Sequence, residues 1–268
     1  MIALQRVAKA YGNHALLRDV TFTLSPKQYI AVTGEPGSGK TAIVRLLLRA
    51  EDPTKGTVTV DGAPLAMLPA EFLQIYRRQV GAISQAVPLV DSWTVEKNVA
   101  YPLVIRGVQE AARRKRVTDV LKRLGMQETA SLQADTLSDA HRQLAMLARA
   151  VVAQPAVLVA DEPTMHLTEE QSRLAMAVLK EAHKRGTTVL LLTRDRSVAN
   201  DAERVLQLKN GECVEAARHR AEASHHANAQ PLMGSAMQAK HAGHAKTTSA
   251  GRGSGRKVRI TSIGSDLG

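Results

Sequence analysis

The stretch YIAVTGEPGSGKTAIVRLLLRA, residues 29–50, changes its hydrophobic period in the middle. Tyr29 to Thr33 is apolar and β-branched, the pattern of a buried strand, whereas TAIVRLLLRA from Thr41 has the spacing of a helix. Between them, Gly34 to Thr41 reads GEPGSGKT and fits G-x-x-x-x-G-K-[ST]. Gly34, Gly37 and Gly39 are expected to take backbone angles that side chains forbid. That would turn successive N–H groups inward as an anion nest, and the helix from Lys40 would add its positive N-terminal end. The loop Gly34, Glu35, Pro36, Gly37, Ser38, Gly39, Lys40 and Thr41 is therefore the expected contact surface for ATP. Lys40 would neutralise the β- and γ-phosphates, and Thr41 would be a ligand of Mg2+.

Working outward, AVLVADEP at residues 156–163 has the composition of a second buried strand. Asp161 at its end is placed to reach the Mg2+ shell. Glu162 follows and is the candidate catalytic residue, a general base that polarises an attacking water. TTVLLLTRD at residues 187–195 is another buried strand, and EEQSRLAMAVLKEAHKRG between the two is a helix. Near the N-terminus, IALQRVAKA and ALLRDVTFTL read as strands flanking Tyr11, and GTVTVDG as a further strand ending in a turn at Asp61-Gly62. Helical patterns dominate from Ala70 to about Ala153. Strands alternating with helices predict an α/β fold around a mostly parallel sheet, with a helical insertion in the middle.

The chain has 268 residues, 44% of them hydrophobic but only 3% aromatic, so the core is expected to be aliphatic. Its single cysteine, Cys213, excludes a disulfide framework within the chain. The longest apolar runs are of strand length, too short to span a bilayer, and MIALQRVAKAYGN lacks the apolar stretch of a signal peptide. A soluble or peripheral protein is expected. The net charge of +11 and a pI near 10.0 favour acidic partners: nucleotide, anionic lipid or nucleic acid. No RNA- or DNA-binding motif accompanies the charge, and stacking aromatics are scarce, which argues against nucleic acid. Composition shifts near Gly211 toward Ala, Gly, Ser, His and Lys/Arg. Residues 1–215 are expected to form the ordered domain, with a helical subdomain at about 86–153, and residues 216–268 a basic, disordered tail. The tail histidines His225, His226, His241 and His244 read as loose polar residues more readily than as metal ligands. Trp93 reads as a packing residue.

The order of these segments resembles the nucleotide-binding subunits of ABC transporters over Met1 to about Gly211. The resemblance implies a P-loop fold of ABC type with an antiparallel β subdomain beside the parallel core. Tyr11 falls where that family stacks an aromatic ring on adenine. Gln85, in GAISQ, falls at the glutamine that touches Mg2+ and the membrane partner. Leu137-Ser138 opens the segment that caps the γ-phosphate bound by the other subunit of a dimer. TVEKNVAYPLVIRG and ARAVVAQPAVLVADEPT bring the resemblance closer to the cell-division ATPases of FtsE type, which work with the membrane protein FtsX at the cytoplasmic face of the inner membrane. The lipoprotein-release and macrolide-export ATPases share much of it.

Three positions depart from that family. Where it has Leu-Ser-Gly-Gly followed by Gln or Glu, this chain has Leu137-Ser138-Asp139-Ala140-His141. Asp139 would set a carboxylate against a triphosphate, and Ala140 adds a Cβ where close approach is needed; Ser138 remains as a donor. Met165-His166-Leu167-Thr168 lacks the acidic residue of the segment after Glu-Pro-Thr. Arg194 replaces the histidine after TTVLLLT and would bind the γ-phosphate as a fixed cation. Neither a homodimer nor a heterodimer keeps an intact composite site, so the resemblance implies retained ATP binding with slow hydrolysis. A scaffold that binds ATP with little turnover is the alternative from a different class.

Overall fold

The structure, a computed structural model, describes residues 1–216. The histidines and basic residues of the expected tail lie outside the described residues. Ten strands form one sheet: β1 (Ile2–Tyr11), β2 (His14–Leu24), β3 (Tyr29–Thr33), β4 (Lys55–Val60), β5 (Ala63–Pro64), β6 (Val80–Ile83), β7 (Val157–Asp161), β8 (Thr188–Thr193), β9 (Arg204–Lys209) and β10 (Glu212–Glu215). Their order across the sheet is β5-β4-β1-β2-β10-β9-β3-β8-β7-β6. The run β9-β3-β8-β7-β6 is parallel throughout. β1, β2, β4 and β5 pair antiparallel, as expected for a β subdomain beside a parallel core.

Seven helices accompany the strands in this region: α1 (Lys40–Leu47), α2 (Ala70–Gln79), α3 (Val95–Ile105), α4 (Glu110–Arg123), α5 (Asp139–Val151), α6 (Glu169–Lys184) and α7 (Arg196–Ala199). The central strands are buried on both faces, and their side chains alternate between two cores. Tyr29 and Ala31 of β3, Leu158 and Ala160 of β7, and Val189 and Leu191 of β8 join one cluster with α3, α4, α5 and α6. Ile30 and Val32, Val159, and Leu190 and Leu192 point the other way, into a cluster with α1 and the antiparallel strands. The low aromatic content is thus met by an aliphatic core. α3 buries Val95, Val99 and Leu103, four residues apart along one stripe.

The helix starts are specified locally. Thr94 caps α3 by accepting from the Lys97 N–H, and Ser138 caps α5 by accepting from that of His141. Thr168 and Gln171 form a reciprocal capping box at α6. α1 has no side-chain cap; Gly39 enters it at φ 107°, in left-handed space.

Two sequence expectations need correction. The span from Ala70 to Ala153 is not helical throughout, because Val80–Ile83 forms β6, paired in parallel with β7. Four residues are too few to show a period against helical flanks. The last two strands, β9 and β10, are absent from the sequence expectations, although RVLQLK alternates and buries Leu206 and Leu208.

Gly81 of β6 faces the end of α5, and a Cβ there would stand 2.3 Å from the Ala150 carbonyl oxygen. Backbone cannot yield as a side chain can, so Gly81→Ala is expected to destabilise the domain by about 3 kcal/mol. Urea unfolding should show a lower midpoint with an unchanged slope.

Candidate nucleotide-binding site

The parallel register brings three strand ends side by side. Thr33 of β3 pairs with Thr193 of β8, and Asp161 of β7 pairs with Leu192. The segments leaving these strands therefore meet at one edge, the usual ligand position in an open parallel sheet. They are the loop Gly34–Thr41, the pair Asp161–Glu162, and Arg194.

The loop is glycine-rich for two different reasons. Gly37 and Gly39 have φ 78° and 107°, as expected from the sequence. Gly34 does not share that left-handed conformation. Its need is close approach, since a Cβ would lie 2.6 Å from Ser38 Oγ and 2.9 Å from the Leu208 carbonyl. Gly39 is crowded as well, with Leu17 2.6 Å from the position of a Cβ. Pro36 has no N–H and can only shape the nest, and Ser38 Oγ is buried without a hydrogen-bond partner among the described residues. A buried hydroxyl without a partner is costly, and a phosphate oxygen over the loop would satisfy it.

Lys40 is almost wholly buried. Its Nζ donates to the carbonyl oxygens of Gly34 at 2.6 Å and Glu35 at 3.1 Å and lies 3.3 Å from Glu162 Oε1. The ammonium is thereby held over the loop that precedes it. Thr41 Oγ1 donates to Asp161 Oδ2 at 2.8 Å, and Ser84 Oγ donates to the same oxygen at 3.1 Å. Burial raises the Asp161 carboxyl above the usual carboxylate range, and the bonds from Thr41 and Ser84 act in the opposite direction. A desolvated carboxylate beside a hydroxyl is a set of hard oxygen donors that suits Mg2+.

Glu162 has φ 48°, uncommon for a side chain of its size. Its backbone is fixed by donation to the Leu192 carbonyl at 2.8 Å and by Gln143 Nε2 donating to its own carbonyl at 3.0 Å. Its Oε2 accepts from Thr193 Oγ1 and from the Arg194 N–H, each at 3.2 Å. Arg194 thus touches Glu162 through its backbone, while its side chain is exposed.

No hydrogen bond among the described residues joins the remaining sequence candidates to this centre. Gln85 is exposed in the turn after β6. Tyr11, at the end of β1, is 41% exposed; its hydroxyl donates to Glu51 Oε2 at 2.5 Å, and Lys9 Nζ lies 5.2 Å from its ring centre. Glu51 also accepts from Arg45 of α1 at 3.1 Å, tying the ring to the helix that leaves the loop. Ser138 Oγ lies 3.1 Å from His141 Nδ1, so the hydroxyl is engaged within its own chain. His166, in the segment after Glu-Pro-Thr, is exposed at φ 66°. Sequence reading missed Ser84 and Gln143, which belong to no motif, and Glu51, whose position became meaningful only once α1 and β1 were placed together.

A groove of about 750 Å3 opens between α2, the loop after β6, α3 and α5. Val87, Pro88, Val90, Trp93, Tyr101 and Ile105 make its apolar wall, and Arg77, Arg78 and Arg106 its rim. Trp93 packs edge-on against Tyr101 with ring centres 5.2 Å apart. Arg149 of α5 holds the loop by donating to the Pro88 carbonyl at 2.7 Å and to that of Val87, and burial pushes its guanidinium down to about 10.

The ABC transporter family model matches residues 17–165. The cell-division ATP-binding protein FtsE of Bacillus subtilis is 33% identical over 213 residues, 79% of this chain and 93% of that protein. The methionine import ATP-binding protein MetN of Rhizobium johnstonii is also 33% identical, over 80% of this chain but 60% of its own length. Among solved structures, a dimeric bacterial ABC transporter cassette superposes with a TM-score of 0.74 at 30% identity, covering 79% of this chain and 96% of that one. The same cassette in a dimeric post-hydrolysis state with ADP and Pi matches with the same TM-score at 29% identity. No helix among the described residues is long and apolar enough to cross a membrane. Matched by the family model over more than half of its length and by a relative 33% identical over 79% of it, the chain belongs to the ABC transporter family as an ATP-binding ATPase subunit.

Proposed function

We propose that this chain is the ATP-binding subunit of an FtsE/FtsX-like membrane complex acting in cell division, and that it binds ATP–Mg2+ firmly but hydrolyses it slowly. The observation that carries the binding is the pairing of Lys40, held over the loop, with Thr41 and Ser84 on one oxygen of Asp161. The division role is supported by the FtsE relative, whose length this chain matches almost end to end. The MetN relatives, equal in identity, are longer than the span they share with it. An importer-type partner is the competing reading at the same level of likeness.

In this reading Tyr11 stacks on the base. The N–H groups of the loop and Lys40 would hold the phosphates, Thr41 and Asp161 would hold Mg2+, with Gln85 as a further candidate ligand, and Glu162 would orient the attacking water. Bound Mg2+ would supply charge neutralisation on the phosphate oxygens. Glu162 leaves Lys40 when Lys40 turns to phosphate, while its second oxygen stays tethered by Thr193 and the Arg194 N–H. Arg194 offers a cationic guanidinium in place of an imidazole ring nitrogen. Ser138 and Asp139 would face the partner subunit's nucleotide with a hydroxyl already engaged by His141 and a carboxylate that repels phosphate. Each lost transition-state contact typically costs on the order of 10²-fold in rate, without strict additivity.

The apolar groove is the surface for an integral membrane partner. An open wall of Trp93, Tyr101 and Ile105 with arginines around it suits a short cytoplasmic helix of that partner carrying apolar and acidic side chains. The basic tail, residues 216–268, would add affinity for anionic lipid at the cytoplasmic face of the inner membrane.

Steady-state turnover of the purified chain should be about 10²-fold below that of a family member with intact signature and switch positions, and Arg194→His should raise it about tenfold. Turnover already at the level of the intact member would overturn the slow-hydrolysis reading. Glu162→Gln should abolish turnover, keep ATP binding, and fail to complement a division defect; complementation by this variant would favour the scaffold. Ile105→Asp should leave ATP affinity unchanged and reduce co-purification with the membrane partner at least tenfold, measured by pull-down from detergent extracts.

A further inference from the structure

Ser84 is the last residue before Gln85 and is buried to 1% exposure. Its hydroxyl has one proton, and the geometry gives that proton to Asp161 Oδ2 at 3.1 Å. Ser84 Oγ itself accepts from the Ala86 N–H at 3.2 Å. The Ser84 carbonyl accepts from the Val87 N–H at 2.9 Å. Ala86 and Val87 line the apolar groove. One buried hydroxyl therefore stands between the wall of the groove and the carboxylate at the nucleotide site.

The bonds on Asp161 are one-sided. Both side-chain donors, Thr41 and Ser84, fall on Oδ2, and no described residue donates to Oδ1. Two donors on one oxygen fix the carboxylate plane and leave the other oxygen free to face a cation or its water. Thr41 alone would leave the plane free to rotate about the Cβ–Cγ bond, because a single hydrogen bond sets a distance but not an orientation. Burial makes this more important, since a desolvated carboxylate has few solvent bonds to replace a lost one.

We propose that Ser84 is a positioning residue for the metal: it fixes Asp161 in the rotamer that receives Mg2+ and couples that rotamer to the backbone of the groove wall. The proposal rests on the ATP–Mg2+ reading of the site. Its consequence is that removal of the hydroxyl weakens the metal-dependent part of nucleotide binding and spares the metal-independent part, which depends on the Gly34–Thr41 loop and Tyr11.

The experiment is a titration of Mg2+ against full-length protein and a fluorescent ATP analogue, alongside nucleotide binding in EDTA. For Ser84→Ala, the half-saturating Mg2+ concentration should rise roughly tenfold or more, the effect of losing one hydrogen bond to a charged group. Affinity in EDTA should stay within twofold of wild type, and Ser84→Thr should restore the Mg2+ midpoint. Circular dichroism and thermal melting of each variant establish that the domain is folded. An unchanged midpoint in folded Ser84→Ala overturns the proposal, as does an equal loss with and without Mg2+, which would mark a merely structural role. If Ser84→Ala does not fold, Ser84→Cys, of similar size but a weak donor, must show the raised midpoint, and a wild-type midpoint there overturns the proposal. A wild-type chain whose nucleotide binding ignores Mg2+ would instead overturn the reading of the site itself.

Discussion

The hydrogen bond from Thr41 Oγ1 to Asp161 Oδ2 joins residues 120 positions apart. It is possible because β3 and β7 are both parallel neighbours of β8 and end at matching register. Moving any of the three by one residue would invert the alternation that sends Ile30, Val159 and Leu190 to one core and Ala31, Ala160 and Leu191 to the other. The register that buries the aliphatic side chains is thus the one that brings the loop hydroxyl to the carboxylate. Packing and site geometry are enforced by the same constraint, and neither can drift without the other.

That constraint explains why some of the molecule was legible in the sequence. Gly34–Thr41 and Asp161–Glu162 each sit at the end of an apolar strand, where a change of hydrophobic period marks the boundary and the motif supplies the chemistry. The helix beginning at Lys40, the strand pair around Tyr11 and the capped helix at Glu169 were readable for the same local reason. Ser84 was not, because a serine after Val80–Ile83 carries no signal until β6 is known to pair with β7. For Gly34 the expected left-handed backbone was the wrong cause: its glycine is required by the approach of Ser38 and of the Leu208 carbonyl, which belongs to β9, a strand the sequence pattern does not single out. Contacts across the sheet are set by partners far away in the chain, and a single sequence does not show which partner a strand will choose.

The departures from the family pattern take on a local meaning in the fold. Asp139 lies in the first turn of α5, where a carboxylate interacts favourably with the helix dipole, an effect of about 0.3–1 kcal/mol. Ser138 caps the same helix, and His141 returns a ring nitrogen to the capping hydroxyl. As a helix start, the segment is well made. The glycines of the family pattern would stabilise α5 less but leave its terminal N–H groups open to a phosphate from outside.

The two uses of a helix N-terminus compete for the same positive end. Asp139, one residue into the helix, occupies the positive potential of that end, and it does so permanently, at no entropic cost of association. Lys40, by contrast, is held by carbonyl oxygens and one carboxylate edge, contacts that a triphosphate can replace with stronger ones. The loop side of the site therefore remains open to exchange its internal contacts for ligand, whereas the signature side has already satisfied itself. On the reading proposed for the site, binding by one subunit and cross-dimer closure are physically separable: the contacts of Lys40 can be exchanged for ligand, whereas Ser138 and Asp139 are committed to the start of α5.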